Sequence, residues 1–283
     1  MNRPNAGVTV VIPVWDRYVA YLGDAVESVR RNSPDAQVVV VDNASSTPVP
    51  ELSGCAIART TRRLSVGAAR NLGLDRVATE YVVFLDADDM LLDGTLEFLV
   101  GRISTAPELA IAATSILDGA TGERHRTPRP FVSKLTRCPR AFAFANSIWS
   151  LLPIQGCAIL RTAQVRESGG YADADLGEDW VLGAALAWRG RVTLSERLGR
   201  YYRSTEGSFA GRAWTGYELR ANARRVRERL QRDAGVARWA KALLPVIALL
   251  QIAAIHLARP TFVAIRKLTG RRRQSPENVP GGR

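Results

Sequence analysis

Apolar and polar positions alternate along this chain in short blocks rather than long ones. Val8 to Ile12 is a β-branched apolar run stopped by Pro13, Val38 to Val41 is a second run ending in Asp42-Asn43, and Tyr81 to Leu85 is a third ending in Asp86. Runs of this length bounded by turn residues predict strands buried on both faces. Between them, Tyr21 to Arg31 carries Leu22, Ala25, Val26 and Val29 at helical spacing and stops at Asn32-Ser33-Pro34. Ser65 to Val77 predicts a second helix, and Met90 to Val100 a third. Strands alternating with helices predict an α/β domain with a mostly parallel central sheet and crossover helices.

Farther on the signal is sparser. Leu117 to Arg140, rich in Gly, Pro, Thr and Arg, reads as a long irregular loop. Ala158 to Leu160 predicts a short strand, and Arg161 to Ser168 a short helix closed by Gly169-Gly170. Leu176 to Arg189 predicts a helix opened by Gly177-Glu178-Asp179-Trp180, and Arg191 to Leu194 another strand. Arg220 to Arg232 is an arginine-rich helical run, followed by the almost wholly apolar stretch Ala242 to Ala258. Residues 1–210 therefore read as the main α/β domain and 211–283 as a basic helical extension, its tail from Gln274 without a structural signal.

Charge sharpens that division. The chain of 283 residues carries a formal net charge of +12. Arg200 to Arg283 holds 18 Lys and Arg against 5 Asp and Glu, so the rest of the chain is close to neutral. Basicity confined to the extension argues against nucleic acid as the partner of the main body. At ~1.5 Å per residue the apolar stretch falls short of a ~30 Å hydrocarbon core unless flanking residues such as Thr261 to Ile265 contribute, and an in-plane or re-entrant contact with an anionic membrane surface is expected over a true span. A helical hairpin packed on the main domain or a second subunit is the competing assignment. Cys55, Cys138 and Cys157 show no paired spacing, and Met1 to Gly7 lacks an apolar core. A reducing, cytoplasmic setting is the expectation, peripheral at the inner face of the membrane.

The chemistry concentrates at strand ends. Phe84-Leu-Asp86-Ala-Asp88-Asp89 delivers three carboxylates to the sheet edge. Acids so close repel one another unless a cation sits among them, and a hard divalent metal carrying phosphate suits them; a helix cap is the competing assignment. Asp42 could accept a hydrogen bond from a base imide or a ribose hydroxyl, or close an Asx turn. Ser65-Val-Gly-Ala-Ala-Arg70 is a small-residue helix start followed by a cation able to neutralise phosphate or orient Asp86. Glu178-Asp179 could supply a general base or a helix cap, with Trp180 as an apolar wall.

Together these pieces resemble the family 2 glycosyltransferases, which have the A-type fold. The resemblance rests on Val11-Ile-Pro-Val-Trp-Asp-Arg17, Val39-Val-Val-Asp42-Asn43, Gly67-Ala-Ala-Arg70-Asn71-Leu-Gly73, Phe84-Leu-Asp86-Ala-Asp88-Asp89, Gly169-Gly-Tyr-Ala-Asp173, Gly177-Glu-Asp179-Trp180 and Tyr202-Arg203 with Gly207-Ser208. It implies inverting transfer of a sugar from a nucleotide-diphosphate donor to a hydroxyl of a glycan or lipid-linked acceptor. By that likeness Pro13 and Asp42 line the base pocket near Arg70, Asp86 lies near the ribose, Asp88 holds Mg²⁺ or Mn²⁺, and Asp179 is the base. Val14, Asp16, Arg17, Ala87, Glu178 and Trp180 fall among the substrate contacts. The chain departs from many members in having Asp16 where they have Asn, and Ser204-Thr205-Glu206 where they have a His. The alternatives are a degenerate nucleotide-sugar-binding domain and a sugar nucleotidyltransferase; Pro13-Val-Trp-Asp-Arg17 is not the glycine-rich loop the latter needs.

Overall fold

The computed structural model describes residues 7–119, 124–125, 130–152, 154–203 and 215–269, with side chains in the last helix through residue 257. Strand β1 (Val8–Val14), helix α1 (Leu22–Asn32), β2 (Gln37–Asp42), β3 (Cys55–Arg59), α2 (Val66–Leu74) and β4 (Tyr81–Phe84) form the first half. There follow β5 (Met90–Leu91), α3 (Thr95–Ser104), β6 (Leu109–Asp118), β7 (Arg124–His125), α4 (Pro130–Leu135), α5 (Pro139–Ile148), β8 (Ala158–Arg161) and α6 (Thr162–Glu167). The chain continues through α7 (Glu178–Arg189), β9 (Arg191–Tyr202), α8 (Gly216–Arg232), α9 (Arg238–Lys241) and α10 (Leu244–Thr269).

The strands make one sheet in the order β3-β2-β1-β4-β8-β6-β9-β5, with β7 paired to β6. The first four strands run parallel, as their buried β-branched runs require. β8 lies antiparallel between β4 and β6, so β6 and its parallel neighbour β9 point the same way as β1. The ends of β1, β2, β4, β6 and β9 therefore open on one edge. Alternate side chains of each strand feed the two faces. Val10, Ile12, Val38 and Val40 pack against α1 and α3, while Val11, Val39 and Val41 pack against α2, α5 and α7. Gly73 lets α2 settle onto the sheet, since a Cβ there would lie 2.3 Å from Val11 Cγ1.

Several elements differ from the sequence expectation. β1 passes through Pro13 to Val14 because the ladder to β4 ends at Val11, so the missing N–H leaves no partner unsatisfied. Met90-Leu91 pairs with Arg200 and Tyr201 of β9 instead of opening a helix, and α3 starts only after Gly94, whose φ of 73° belongs to the left-handed region. The supposed loop from 117 to 140 contains α4 and the start of α5, whose Pro139 sits in the first helical turn. β9 resumes after irregular pairing around Ser195-Glu196-Arg197 and runs to Tyr202. The three cysteines are free; Cys157 is buried, Cys138 exposed and Cys55 between. Ser204 to Ser208 and Gln274 to Arg283 lie outside the described residues.

The extension is packed on the domain. Leu219, Ala223, Val226 and Leu230 of α8 and Ile255 of α10 share a core with Trp180, Val181 and Ala184 of α7. Among the described residues no helix is long and apolar enough to cross a membrane.

Candidate active site

A cavity of about 400 Å³ opens at the edge where the parallel strands end, lined by Pro13, Trp15, Tyr18, Asn43, Arg70, Asp86, Ala87, Asp88, Gln155, Glu178, Asp179, Arg200 and Tyr202 among others. That size suits a small-molecule ligand. Sheet direction explains the membership. β4 brings Asp86 and Asp88, the turn before β8 brings Gln155, β9 brings Arg200 and Tyr202, and the N-terminus of α7 brings Glu178 and Asp179.

Two buried arginines organise the charges. Arg70 on α2 gives one N–H to Glu178 Oε1 at 2.5 Å and another to Asp86 Oδ1 at 2.6 Å, with its guanidinium 5.2 Å from the Tyr171 ring. Arg200 lies 2.6 Å from Asp89 Oδ2 and 3.9 Å from Asp86 Oδ2, and donates to the Gln155 carbonyl. Burial disfavours both cations, but the carboxylates around them outweigh it and keep them charged. Burial likewise opposes ionisation of Asp86, yet Arg70 and Arg200 hold that carboxyl below its ordinary range.

The acidic run after β4 splits by orientation. Asp86 and Asp88 line the cavity, whereas Asp89 turns inward, pairs with Arg200 and accepts the Arg203 amide at 3.0 Å. Burial pushes Asp89 up to about 7, Asp86 and Asp88 add to the rise, and Arg200 opposes it. None of these acids caps α3, whose N-cap is Gly94. Among the described residues no three His, Cys, Asp or Glu side chains converge to enclose a metal. Asp88, 9% exposed at the cavity wall, fits a hard dication that takes one or two carboxylates and completes its shell with phosphate and water.

On the opposite wall Gly177, with φ 72°, precedes α7. Glu178 is buried against Arg70 and accepts from Gln155 Nε2 at 3.3 Å. Burial raises it to about 7 with Asp179 adding, while Arg70 pulls it back. Asp179 Oδ1 accepts the Trp180 amide at 2.8 Å within the first turn of α7, whose N-cap is Gly177 with no side-chain cap bond, and the residue lines the cavity. Burial lifts Asp179 above the ordinary carboxylate value, Arg70 opposes the shift and Asp86 adds to it.

Other expected contacts lie outside the lining. Asp42 is buried, with Oδ1 accepting the Ser45 amide at 3.0 Å and Oδ2 accepting the Val49 amide at 3.2 Å and Arg59 Nη1 at 3.0 Å. Its neighbour Asn43 reaches the cavity but is itself bonded to both the amide and the carbonyl of Leu64. Asp16, in the left-handed region at φ 41°, accepts the Ser46 amide, and that bond lowers its pKa. Val14 is buried in the sheet, and Arg17 lies 5.0 Å from the Tyr18 ring. Trp180 is buried in the core of the extension and donates its ring N–H to Asn146 O at 2.6 Å.

The start of α2 is closed by protein instead of ligand. Val66 N donates to Asp175 Oδ1, Gly67 N to Ala174 O, and Ala68 N to Ser65 Oγ. A Cβ at Gly67 would stand 1.9 Å from Ala172 O, so this glycine admits the 172–175 segment. Sequence reasoning missed Gln155, Arg200, Tyr18 and Trp15 as cavity residues. Arg200 is one of three arginines, Arg197, Arg200 and Arg203, spaced three residues apart, and nothing in the sequence singles it out from the other two.

Residues 9–166 match the sequence profile of glycosyl transferase family 2. The pre-mycofactocin glycosyltransferase of Mycobacterium tuberculosis (strain CDC 1551 / Oshkosh) is 32% identical over 203 residues, covering 66% of this chain and 40% of that protein. An uncharacterized glycosyltransferase of Rickettsia felis (strain ATCC VR-1525 / URRWXCal2) is 29% identical over 99 residues, 32% of this chain and 16% of the relative. The chain thus spans less than half of these curated relatives. Among solved structures, S. aureus TarS 1–349 with UDP-GlcNAc superposes with a TM-score of 0.63 at 16% identity, covering 86% of this chain and 72% of that one. The same protein with UDP gives 0.60 at 15% identity, over 94% and 75%. The shared architecture is the A-type fold, and with the family pattern running through more than half of its length this chain belongs to glycosyl transferase family 2.

Proposed function

We propose that this glycosyltransferase transfers a hexose with inversion from a nucleotide-diphosphate donor to a hydroxyl of a glycan or lipid-linked acceptor. The observation that carries the reading is the convergence of Asp88 and Asp179 in one cavity, separated by more than ninety residues of sequence and held beside the same buried arginine network. UDP-containing structures of TarS lend support to a nucleotide-sugar donor.

In this reading Asp179 takes the proton of the acceptor hydroxyl, a role its raised pKa favours. The acceptor oxygen forms a bond to the anomeric carbon as the bond from that carbon to the diphosphate oxygen breaks. The electron pair leaves with the nucleoside diphosphate. Glu178 and Arg70 position α7 against α2, and Arg70 and Arg200 bring positive charge to the wall beside Asp86. Asp88 would hold Mg²⁺ or Mn²⁺, which when bound supplies Lewis-acid neutralisation of the departing diphosphate. Asp42, with both oxygens bonded to its own loop, shapes the base pocket through the Asp42–Val49 turn. Envelope polysaccharide or glycolipid assembly at the inner membrane face is the setting we propose.

The test is thermal stability with UDP, GDP, dTDP or CMP, each with and without Mn²⁺, in the native chain and in Asp88→Ala. One nucleotide should raise the melting temperature in a metal-dependent way that Asp88→Ala abolishes. A nucleotide shift without turnover of any sugar donor would instead favour a binding domain, and no shift with any nucleotide would remove the donor reading.

A further inference from the structure

α10 is built inside out. Over its described side chains, Ile247, Gln251 and Ile255 face the protein at i, i+4, i+8, and Gln251 is only 1% exposed. Its amide donates to Ser147 O at 2.8 Å, and its carbonyl oxygen accepts from Arg227. The outward face is Val246, Leu249, Leu250, Ile252 and Leu257, with Leu249 at 69% and Leu257 at 75% exposed. A helix on a water-facing surface shows the reverse polarity. A contiguous apolar stripe of this kind marks a surface that is covered in use.

We infer that this stripe docks in the plane of an anionic lipid surface, which deepens the membrane setting proposed above. Three observations choose lipid over other occupants. No Asp, Glu, Lys or Arg occurs from Leu244 to Leu257, so the face carries no fixed charge to desolvate against a hydrocarbon boundary; its polar group is the exposed His256, whose Nδ1 lies 2.7 Å from Ile252 O. At the head of the helix stand Arg238 and Lys241 with Trp239, 48% exposed, stacked edge-on against Trp188 at 5.6 Å and under the Arg140 guanidinium at 5.2 Å. Tryptophan flanked by cations is the composition of the headgroup layer. Arg266, Lys267 and Arg271 to Arg273 follow in the sequence, and the segment from Arg200 onward carries 13 more positive than negative side chains. Apposing two such segments in a self-dimer would set like charge against like, whereas anionic headgroups complement it.

The mode is in-plane. The uncharged run between Lys241 and Arg259 is seventeen residues, about 26 Å as a helix and short of the ~30 Å hydrocarbon core, and among the described residues no helix is long and apolar enough to cross a membrane. The inner face of α10 also stays tied to α5 and α8 through Gln251. Because α7 packs Val181 and Ala184 into the same layer and carries Asp179, docking would hold the cavity at a set distance from the lipid.

Flotation of the full chain with vesicles tests the assignment, using phosphatidylcholine alone and phosphatidylcholine with phosphatidylserine. The native chain should float with the anionic vesicles and lose that partition on raising salt. Leu249→Glu with Leu257→Glu should cut it by at least about tenfold at an unchanged melting temperature, since both side chains already face solvent. Arg238→Glu with Lys241→Glu should weaken binding to anionic vesicles alone. Equal flotation of the Leu variant, or no flotation of the native chain, overturns the inference. So does a lipid-free dimer that the Leu variant splits in sedimentation, which would make a second copy the occupant. Nucleotide-induced melting shifts on the same samples read the donor site separately, so failure of lipid docking leaves the donor reading standing, and the reverse holds.

Discussion

Two strand ends of the same parallel sheet carry aspartates that look alike in the sequence and behave in opposite ways. After β2, Asp42 is enclosed by its own loop: two amides and Arg59 satisfy both oxygens. Burial opposes its charge, yet those bonds with Ser45, Val49 and Arg59 bring the pKa below 3.8. After β4, Asp86 and Asp88 line a cavity, and across it Asp179 accepts the Trp180 amide and has a pKa raised by burial. Asp42 is bonded within its own loop, away from the cavity, whereas the other acids face a ligand-sized space, where perturbed carboxylates are candidates for chemistry. The difference lies in partners, not in residue type.

The strongest way to break this contrast is Asp179→Asn. It should lower kcat by about 10²–10⁴-fold, the range for a general base, while leaving the melting temperature at neutral pH equal or higher. A folded-state pKa above the unfolded value means that charging Asp179 at neutral pH disfavours the fold, and the amide removes that cost. Full turnover in this variant would remove Asp179 from the reaction.

Next in size is Arg70→Ala, which strands Glu178 and Asp86 beside each other in a buried wall. A loss of ~3–5 kcal/mol in denaturant unfolding is expected, with loss of donor binding. An unaltered unfolding midpoint would mean that the arginine bridge does not hold the two walls together.

Asp42→Ala should cost about 2 kcal/mol, since it leaves the Ser45 and Val49 amides without their acceptor. At a concentration where the variant is folded, kcat should stay within a few-fold of native. A collapse of kcat with unchanged stability would move Asp42 from the structural side of the contrast to the chemical side.

The smallest effect separates the two carboxylates by pH. Asp42, depressed in the fold, contributes stability that is present above its unfolded pKa and lost as pH falls through the folded value. Asp179, raised in the fold, contributes in the other direction: relative stability is greatest at low pH and falls as pH rises through its folded pKa. Turnover should fall with acidification at a pH above that of an ordinary aspartate, because the protonated base cannot accept a proton. An acid limb near 3.8, matching the ordinary aspartate, would contradict the burial effect on Asp179.

The apolar runs at Val8, Val38 and Tyr81 were enough to place three adjacent parallel strands, since burial on both faces is a local property of composition. That Asp86, Asp88 and Asp179 line one cavity follows the order of motifs in the family resemblance, since Glu178-Asp179 alone is a weak signal. The length of β9, the helix α5 and the short β5 were not. Each depends on a neighbour far along the chain: Met90 pairs with Tyr201, and α5 forms against α7 and α10.

The sequence by itself determined the parallel strands β1, β2 and β4, the edge on which their polar ends gather, and an apolar stretch that falls short of a bilayer unless its flanks contribute. Tertiary structure alone decided which acids are consumed, that Arg200 and Gln155 join the cavity, that Trp180 packs instead of stacking, and that α10 turns Gln251 inward and its leucines out. The reason is physical. Hydrophobic periodicity is written within a few residues, whereas the state of a charge depends on its partner, and Arg70 finds Glu178 across 108 residues.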